Sequence, residues 1–223
     1  TRDMYAVFSK YYLHTSREVF ENDLDNKEAV FLLVDSGSYE IMGFSTIQAL
    51  ETEVAGKTIH GLFSGDTIIE KEYWGQGALG VAFLKYLFVK KLRRPFSPLY
   101  WFLISKGYKT YLLMANNFKD HYPRYEQKTP EDKQIILDAF SKQLFPSYYC
   151  PKSGIISFSQ KSVSKDALKC EVTPISKEML LKNPRIKYFA DKNPSWEKGD
   201  ELACMAEMTL LMPIQYQLKI LKK

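Results

Sequence analysis

Residues 58–91 constrain the fold most. A run rich in β-branched and apolar residues, Thr58 to Glu70, leads through Tyr73-Trp74-Gly75-Gln76-Gly77-Ala78-Leu79-Gly80 into an apolar helical pattern reaching Lys91. Lys90-Lys91-Leu92-Arg93-Arg94 closes that pattern with cations that suit a helix C-terminus, and Pro95 stops its continuation. A strand that turns directly into a helix points to a mixed α/β (α+β) domain.

The flanking sequence extends this reading. Met4, Val7, Phe8, Tyr11, Tyr12, Val19, Phe20 and Leu24 recur at helical spacing, so one or two helices are expected at the start. Ala29 to Asp35 reads as a strand ended by Ser36-Gly37-Ser38, and Ile41 to Glu51 as a second strand. Glu53 to Lys57 supplies turn chemistry, which makes Thr58 to Glu70 antiparallel to that second strand. Pro98 to Ser105 is expected to be helical and Lys109 to Ala115 a buried strand. Pro130 to Leu144 is an amphipathic helix, with Thr129 as N-cap and Pro130 at its first position. Strands are expected at Gly154 to Ser159 and Glu201 to Met208, with a short helix near Lys177–Leu181. There is no repeat and no linker-like tract, so residues 1–223 read as one domain, with core motifs in 29–126 and an elaboration over 127–223.

Charge is unevenly spread. Residues 1–70 hold 5 basic and 12 acidic side chains, net −7, whereas residues 71–130 hold 11 basic and 3 acidic, net +8. A basic middle segment fits a polyanionic partner or a solvated helix face. Nucleic acid ranks last among the partner classes, since only this charge speaks for it. Cys150, Cys170 and Cys204 are odd in number and widely spaced, which argues against a disulfide framework and a thiolate zinc site and for buried small hydrophobes. His14, His60 and His121 make no metal-spaced pair, so no metal is expected. Lys85 interrupts the richest apolar stretch, Ala78 to Val89, and Thr1-Arg2-Asp3-Met4-Tyr5 lacks a signal layout; no membrane span and a cytoplasmic location are expected.

The glycine-rich turn is where chemistry enters. Amides at a helix start lack partners and carry a partial positive charge, and glycines let a phosphate approach them. Gly75, Gly77 and Gly80 fit such a cradle, and equally a plain tight turn. The spacing is neither that of a P-loop nor that of a dinucleotide fingerprint.

The segment Asp66-Thr67-Ile68-Ile69-Glu70-Lys71-Glu72-Tyr73-Trp74-Gly75-Gln76-Gly77-Ala78-Leu79-Gly80 resembles the acyl-CoA-binding motif of the GNAT acyltransferase superfamily. Gly43-Phe44-Ser45 fits the same layout, as does an expected strand Tyr111–Met114 followed by Asn117 and Tyr122. The resemblance covers about residues 29–126 and implies a GNAT-like mixed central sheet flanked by helices. It implies that backbone groups of Thr67, Ile68 and Ile69 pair with a pantetheine arm and polarise a thioester carbonyl. Amides of Gln76, Gly77, Ala78, Leu79 and Gly80 would hold a pyrophosphate, Asn117 would contact the pantetheine or a bound water, and Tyr122 would protonate the departing thiolate. Trp74 stands where the family carries Arg or Gln, and Leu79 where it carries Gly or Ala. These departures leave room for a donor held mainly by its pantetheine, such as an acyl carrier protein thioester in place of acyl-CoA.

The activity so implied is acyl transfer, of medium or long chains among others, from a thioester to an amine such as a peptide side chain. Peptide maturases, N-acyl amino acid synthases and lactone synthases share this outline, and a non-catalytic binding module is the alternative from another class. Asp66 is the base candidate because it precedes the carbonyl-binding segment, with a turn cap as its structural alternative; His60 and Glu53 rank behind it. Strand alternation puts His60 and Asp66 on one face unless a bulge intervenes. Tyr125 rivals Tyr122, because Pro123 follows Tyr122 directly. The run Pro98 to Ile104 fits core packing or an acyl tunnel. Asn193 to Leu202 reads as a specific loop entering a strand, with no mechanism attached.

Overall fold

The computed structural model describes residues 1–13, 16–73, 76–158, 167–168 and 174–212. Trp74, Gly75, His14 and Cys170 lie outside the described residues.

In chain order the elements are α1 (Arg2–Tyr11), β1 (Tyr12–Leu13), α2 (Arg17–Leu24), β2 (Ala29–Val34), β3 (Ile41–Val54) and β4 (Lys57–Ile69). A 3-10 turn, Lys71–Tyr73, leads toward α3 (Ala78–Arg93), β5 (Leu99–Ser105), α4 (Tyr108–Asn117), β6 (His121–Tyr122) and α5 (Glu131–Leu144). There follow β7 (Tyr149–Cys150), β8 (Ile155–Ile156), β9 (Ala167–Leu168), α6 (Lys177–Lys182), α7 (Pro184–Lys192) and β10 (Glu201–Glu207).

The β3–β4 hairpin is the spine. Its two loop residues, Ala55 and Gly56, have φ of 51° and 72°, the primed-turn geometry that matches strand twist. Around it the sheet order is β2-β3-β4-β5-β10-β8-β7, with β6 also on β10; β4 and β5 run parallel, and the other pairs in this sheet are antiparallel. The expected mixed α/β sheet is therefore present.

Two expectations exchange places. Residues 99–105, read as helical, form β5, in which six of seven residues are buried. A strand covered on both faces has no reason to alternate, so its run is continuously apolar. Residues 109–115, read as a strand, lie in α4, whose buried Tyr108, Tyr111, Met114 and Ala115 recur at helical spacing. Gly107 is the N-cap of α4. The N-cap of α5 is Pro130 and not Thr129, with no side-chain cap bond. The helix α7 was not expected; Pro184 begins it, and Asn183 Oδ1 accepts from the amides of Arg185 and Ile186. Cys204 is buried, as expected, but Cys150 is exposed.

Side chains from the sheet feed cores on both faces. On one face Ile47, Leu62, Trp101, Leu103, Leu202 and Cys204 pack with α3, α4 and α7 through Phe83, Leu87, Tyr111, Met114, Ile186 and Phe189. On the other, Leu50, Phe63, Phe102 and Met205 pack under Ile136, Leu137 and Phe140 of α5. Phe44 and Ile68 continue that second face against Met4, Val7 and Phe8 of α1 and Phe20 of α2.

Candidate functional site

The ladder between β4 and β5 runs from His60↔Leu99 to Phe63↔Phe102 and goes no further. At that point β4 bulges. Ser45 pairs with Thr67 and Ile47 with Ser64, so Gly65 and Asp66 together oppose the single residue Thr46. Glycine is required at the first of these, because a Cβ on Gly65 would lie 2.6 Å from Thr46 Oγ1. Past the bulge β4 pairs with β3 alone, while Leu103, Ile104 and Ser105 of β5 pair with β10. This unpaired interval between β4 and the end of β5 is the candidate cleft.

The extra residue also changes sides along β4. Leu62 packs toward α3 and α4, with His60 and Ser64 on its parity, whereas Ile68 packs toward α1 and carries Asp66 on its parity. His60 and Asp66 are therefore on opposite faces, contrary to unbroken alternation. His60 lies at the other end of β4, beside Glu51 and Arg94, and Glu53 accepts from Thr58 near the hairpin turn.

The N-terminus of α3 follows the bulged end of β4, past the 3-10 turn Lys71–Tyr73. Gly77 is its N-cap with φ 73°, a conformation that favours glycine, and no side chain caps the helix. Gln76, Gly77, Ala78 and Gly80 are exposed, Leu79 is buried, and a Cβ on Gly77 or Gly80 would meet nothing within 4 Å. Amides of the first helical turn have no helical acceptor, and the residues around them are mostly exposed. The approach to this turn is anchored twice. Tyr73 donates to Asp35 Oδ2 over 2.5 Å, and Glu70 accepts from Tyr11 at 2.8 Å and from Lys10 of α1. The Tyr73 hydroxyl and then the amides of Ser38 and Gly37 pull the Asp35 carboxyl down to about 2.

Three charged residues act on one another past the end of the ladder. Leu202 pairs with Ser105, which sets Glu201 opposite the next residue, Lys106. Glu201 is half-buried, and burial pushes its carboxyl up to about 7, with Lys106 opposing and Asp66 adding to the rise. Sequence reasoning did not find Glu201 or Lys106; the only local signal was the loop from Asn193 that enters β10.

Other expected residues lie elsewhere. Tyr122 pairs with Met205, which pairs with Phe102, which pairs with Phe63. It therefore sits three strand spacings from β4, roughly 14 Å. Asn117 is the last residue of α4, with Nδ2 donating to Leu113 O at 2.7 Å. The structure brings neither to the cleft, because the strand expected to deliver them is α4. Tyr125 is 45% exposed. Tyr100, Trp101, Phe102 and Leu103 are buried in the two cores, which is the packing reading of that run.

No family model matches the sequence, and no curated protein matches it. Solved structures do show likeness. AtaT complexed with acetyl-methionyl-tRNAfMet aligns at 15% identity over 37% of this chain and 58% of its own, with a TM-score of 0.30. A mutant AtaT toxin bound to the C-terminus of the antitoxin AtaR and acetyl-CoA aligns at 16% identity over 47% and 62%, TM-score 0.34. A probable N-acyltransferase from Enterococcus faecalis aligns at 12% identity over 54% and 31%, TM-score 0.40. The chain spans less than two thirds of the length of each of these. At such identities the likeness is one of fold alone. Among the described residues no helix is long and apolar enough to cross a membrane, and no three metal-ligating side chains cluster.

Proposed function

We propose that this chain is an acyltransferase that moves an acyl group from a pantetheine thioester, acyl-CoA or acylated carrier protein, to an amine. One observation carries the reading: the β4–β5 ladder stops at a bulge, leaving a cleft between an uncapped helix start and an acidic pair. Its flanks are the two described ends of the motif that resembles the GNAT donor motif, Asp66 to Tyr73 at the bulge and after it, and Gln76 to Gly80 at the start of α3.

Each part has a task in such a transfer. The extended pantetheine arm, itself an amide chain, pairs with the backbone of Thr67, Ile68 and Ile69 as an added strand would. The first-turn amides of α3, from Gln76 to Gly80, take the pyrophosphate when the donor is CoA. Attack by the amine puts negative charge on the carbonyl oxygen, and backbone N–H groups at the bulge stabilise it. The carbon–sulfur bond then breaks and the thiol leaves. The acceptor enters from the α1 and α5 face, where Asp66 and Glu201 favour a cationic amine, in keeping with a peptide side chain.

Thermal unfolding against acyl-CoAs from acetyl to palmitoyl, free CoA and an acylated carrier protein tests the reading. A ligand at ~100 times its Kd adds ~2.7 kcal/mol to the folded state. A shift that peaks at one acyl length supports the thioester site and names the donor; a response to the carrier protein alone moves the donor there. No shift with any of them overturns acyl transfer. Donor binding without thiol release in the presence of amines leaves the non-catalytic module.

A further inference from the structure

The loop Asn193 to Leu202 is built to hold one residue in place. Asn193 is fully buried, and its Nδ2 donates to Asp200 O at 2.8 Å. Trp196 is buried beneath the loop, Gly199 turns it with φ 95°, and Ala203 N donates to Gly154 O. The chain is thus tied on both sides of Glu201. Leu202 and Cys204 point to the core under α3, α4 and α7, and Ala203 and Met205 to the core under α5. By alternation Glu201 shares the α5 face, the face on which the bulge sets Asp66.

Its surroundings are few. From the β8 side it faces Ile156, which carries no charge. From the end of β5 comes Lys106, from the β4 bulge Asp66, and among the described residues none donates a hydrogen bond to its carboxyl. A half-buried carboxyl that accepts no hydrogen bond from the described residues, beside one cation and one anion, has no role in the fold that a neutral side chain would not fill better. It holds its proton at neutral pH more readily than an ordinary glutamate, which is the property of a base that works near pH 7.

We propose that Glu201 is the base of the transfer: it takes the proton that an ammonium acceptor sheds as its nitrogen attacks the thioester, with Asp66 holding the cation beside it. The assignment rests on the acyl-transfer reading above. Of the ammonium's three protons one stays on the new amide, one leaves with the thiol, and one passes through Glu201 to solvent. The C–N bond forms as the C–S bond breaks, and no oxidant or metal is involved. Asp66, which the sequence favours as base, acts here as a positioning residue.

Wild type, Glu201→Gln and Asp66→Asn are compared in acetyl-CoA binding by calorimetry and in thiol release from acetyl-CoA with a pool of lysine-containing peptides, from pH 5.5 to 9. Wild-type kcat/KM should rise to a plateau with a midpoint near the carboxyl's value of about 7. Glu201→Gln should bind acetyl-CoA within about twofold of wild type, lose ~100-fold or more in turnover, and lose that acid limb. Asp66→Asn should move the limb to lower pH, because a negative neighbour raises it. An unchanged rate and limb in Glu201→Gln overturns the assignment. Carboxyl 13C NMR asks the same without an acceptor: Glu201 should titrate near 7 and shift when acetyl-CoA binds. An ordinary titration, or no response to bound acetyl-CoA, overturns it even if no peptide reacts. Failure of wild type to bind acetyl-CoA or acylated carrier protein removes the acyl-transfer reading itself.

Discussion

The indole of Trp101, which pairs with Leu62 just inside the β4–β5 ladder, donates from Nε1 over 2.9 Å to the Oγ of Ser64, one residue beyond the last rung. It ties the two strands together at the root of the cleft, where the ladder has already ended. Ser64→Ala leaves a buried indole N–H without its acceptor, an omission of ~1–3 kcal/mol. Urea unfolding should show that loss, and calorimetry a several-fold weaker acetyl-CoA affinity. Ser64→Thr, which keeps a hydroxyl, should recover most of both. Full stability in the alanine variant would mean that the bond is not holding the strands.

The fit of α5 onto the sheet depends on a missing side chain. A Cβ on Gly61 would lie 2.7 Å from Phe140 Cζ, and Phe140 is fully buried. Gly61→Ala should destabilise by ~1–3 kcal/mol through overpacking. In a Phe140→Leu background the same change should be milder by at least ~0.5 kcal/mol, as expected for neighbours in contact. Equal losses in both backgrounds would place the strain elsewhere.

The Asp35 carboxylate is held at about 2 chiefly by the Tyr73 hydroxyl. A folded value below the unfolded 3.8 means that the interaction stabilises above pH 3.8 and is lost as pH falls toward 2. Tyr73→Phe should flatten that part of the stability curve in thermal melts between pH 5 and 2. Because the bond anchors the chain just ahead of α3, the variant should also bind CoA more weakly than wild type. An unchanged acid limb would show that the two side chains do not meet in solution.

Much of this architecture is written locally. The hairpin, the helix that starts at Ala78 and the helix over 131–144 follow from turn chemistry and periodicity alone. The exchange of strand and helix over 99–117 comes from the limits of the same signals. Leu99 to Ile104 shows no period because β5 is covered on both faces, and the density of apolar residues in Tyr111 to Met114 hides a helical one. The bulge was visible only as Gly65-Asp66, which reads equally as a turn. Glu201 could not be found locally, because β5–β10 pairing sets Lys106 opposite it and Asp66 acts on it from beyond the end of the β4–β5 ladder, both from segments remote in sequence.

Glu201 also makes a statement about stability. Its carboxyl titrates at about 7 in the fold against 4.5 for the unfolded chain, chiefly because of burial. The folded state then prefers the proton, so the stability this group permits is fully present below pH 4.5 and is lost as pH rises through 7. Glu201→Gln removes the ionisation and with it the loss. The stability difference between variant and wild type should therefore grow in the variant's favour from pH 4.5 to about 7.5 and then level off. Thermal melts at half-unit steps measure it. A difference independent of pH would mean that the carboxyl is hydrated and ordinary, and that the cleft is wetter at its inner end than its packing requires.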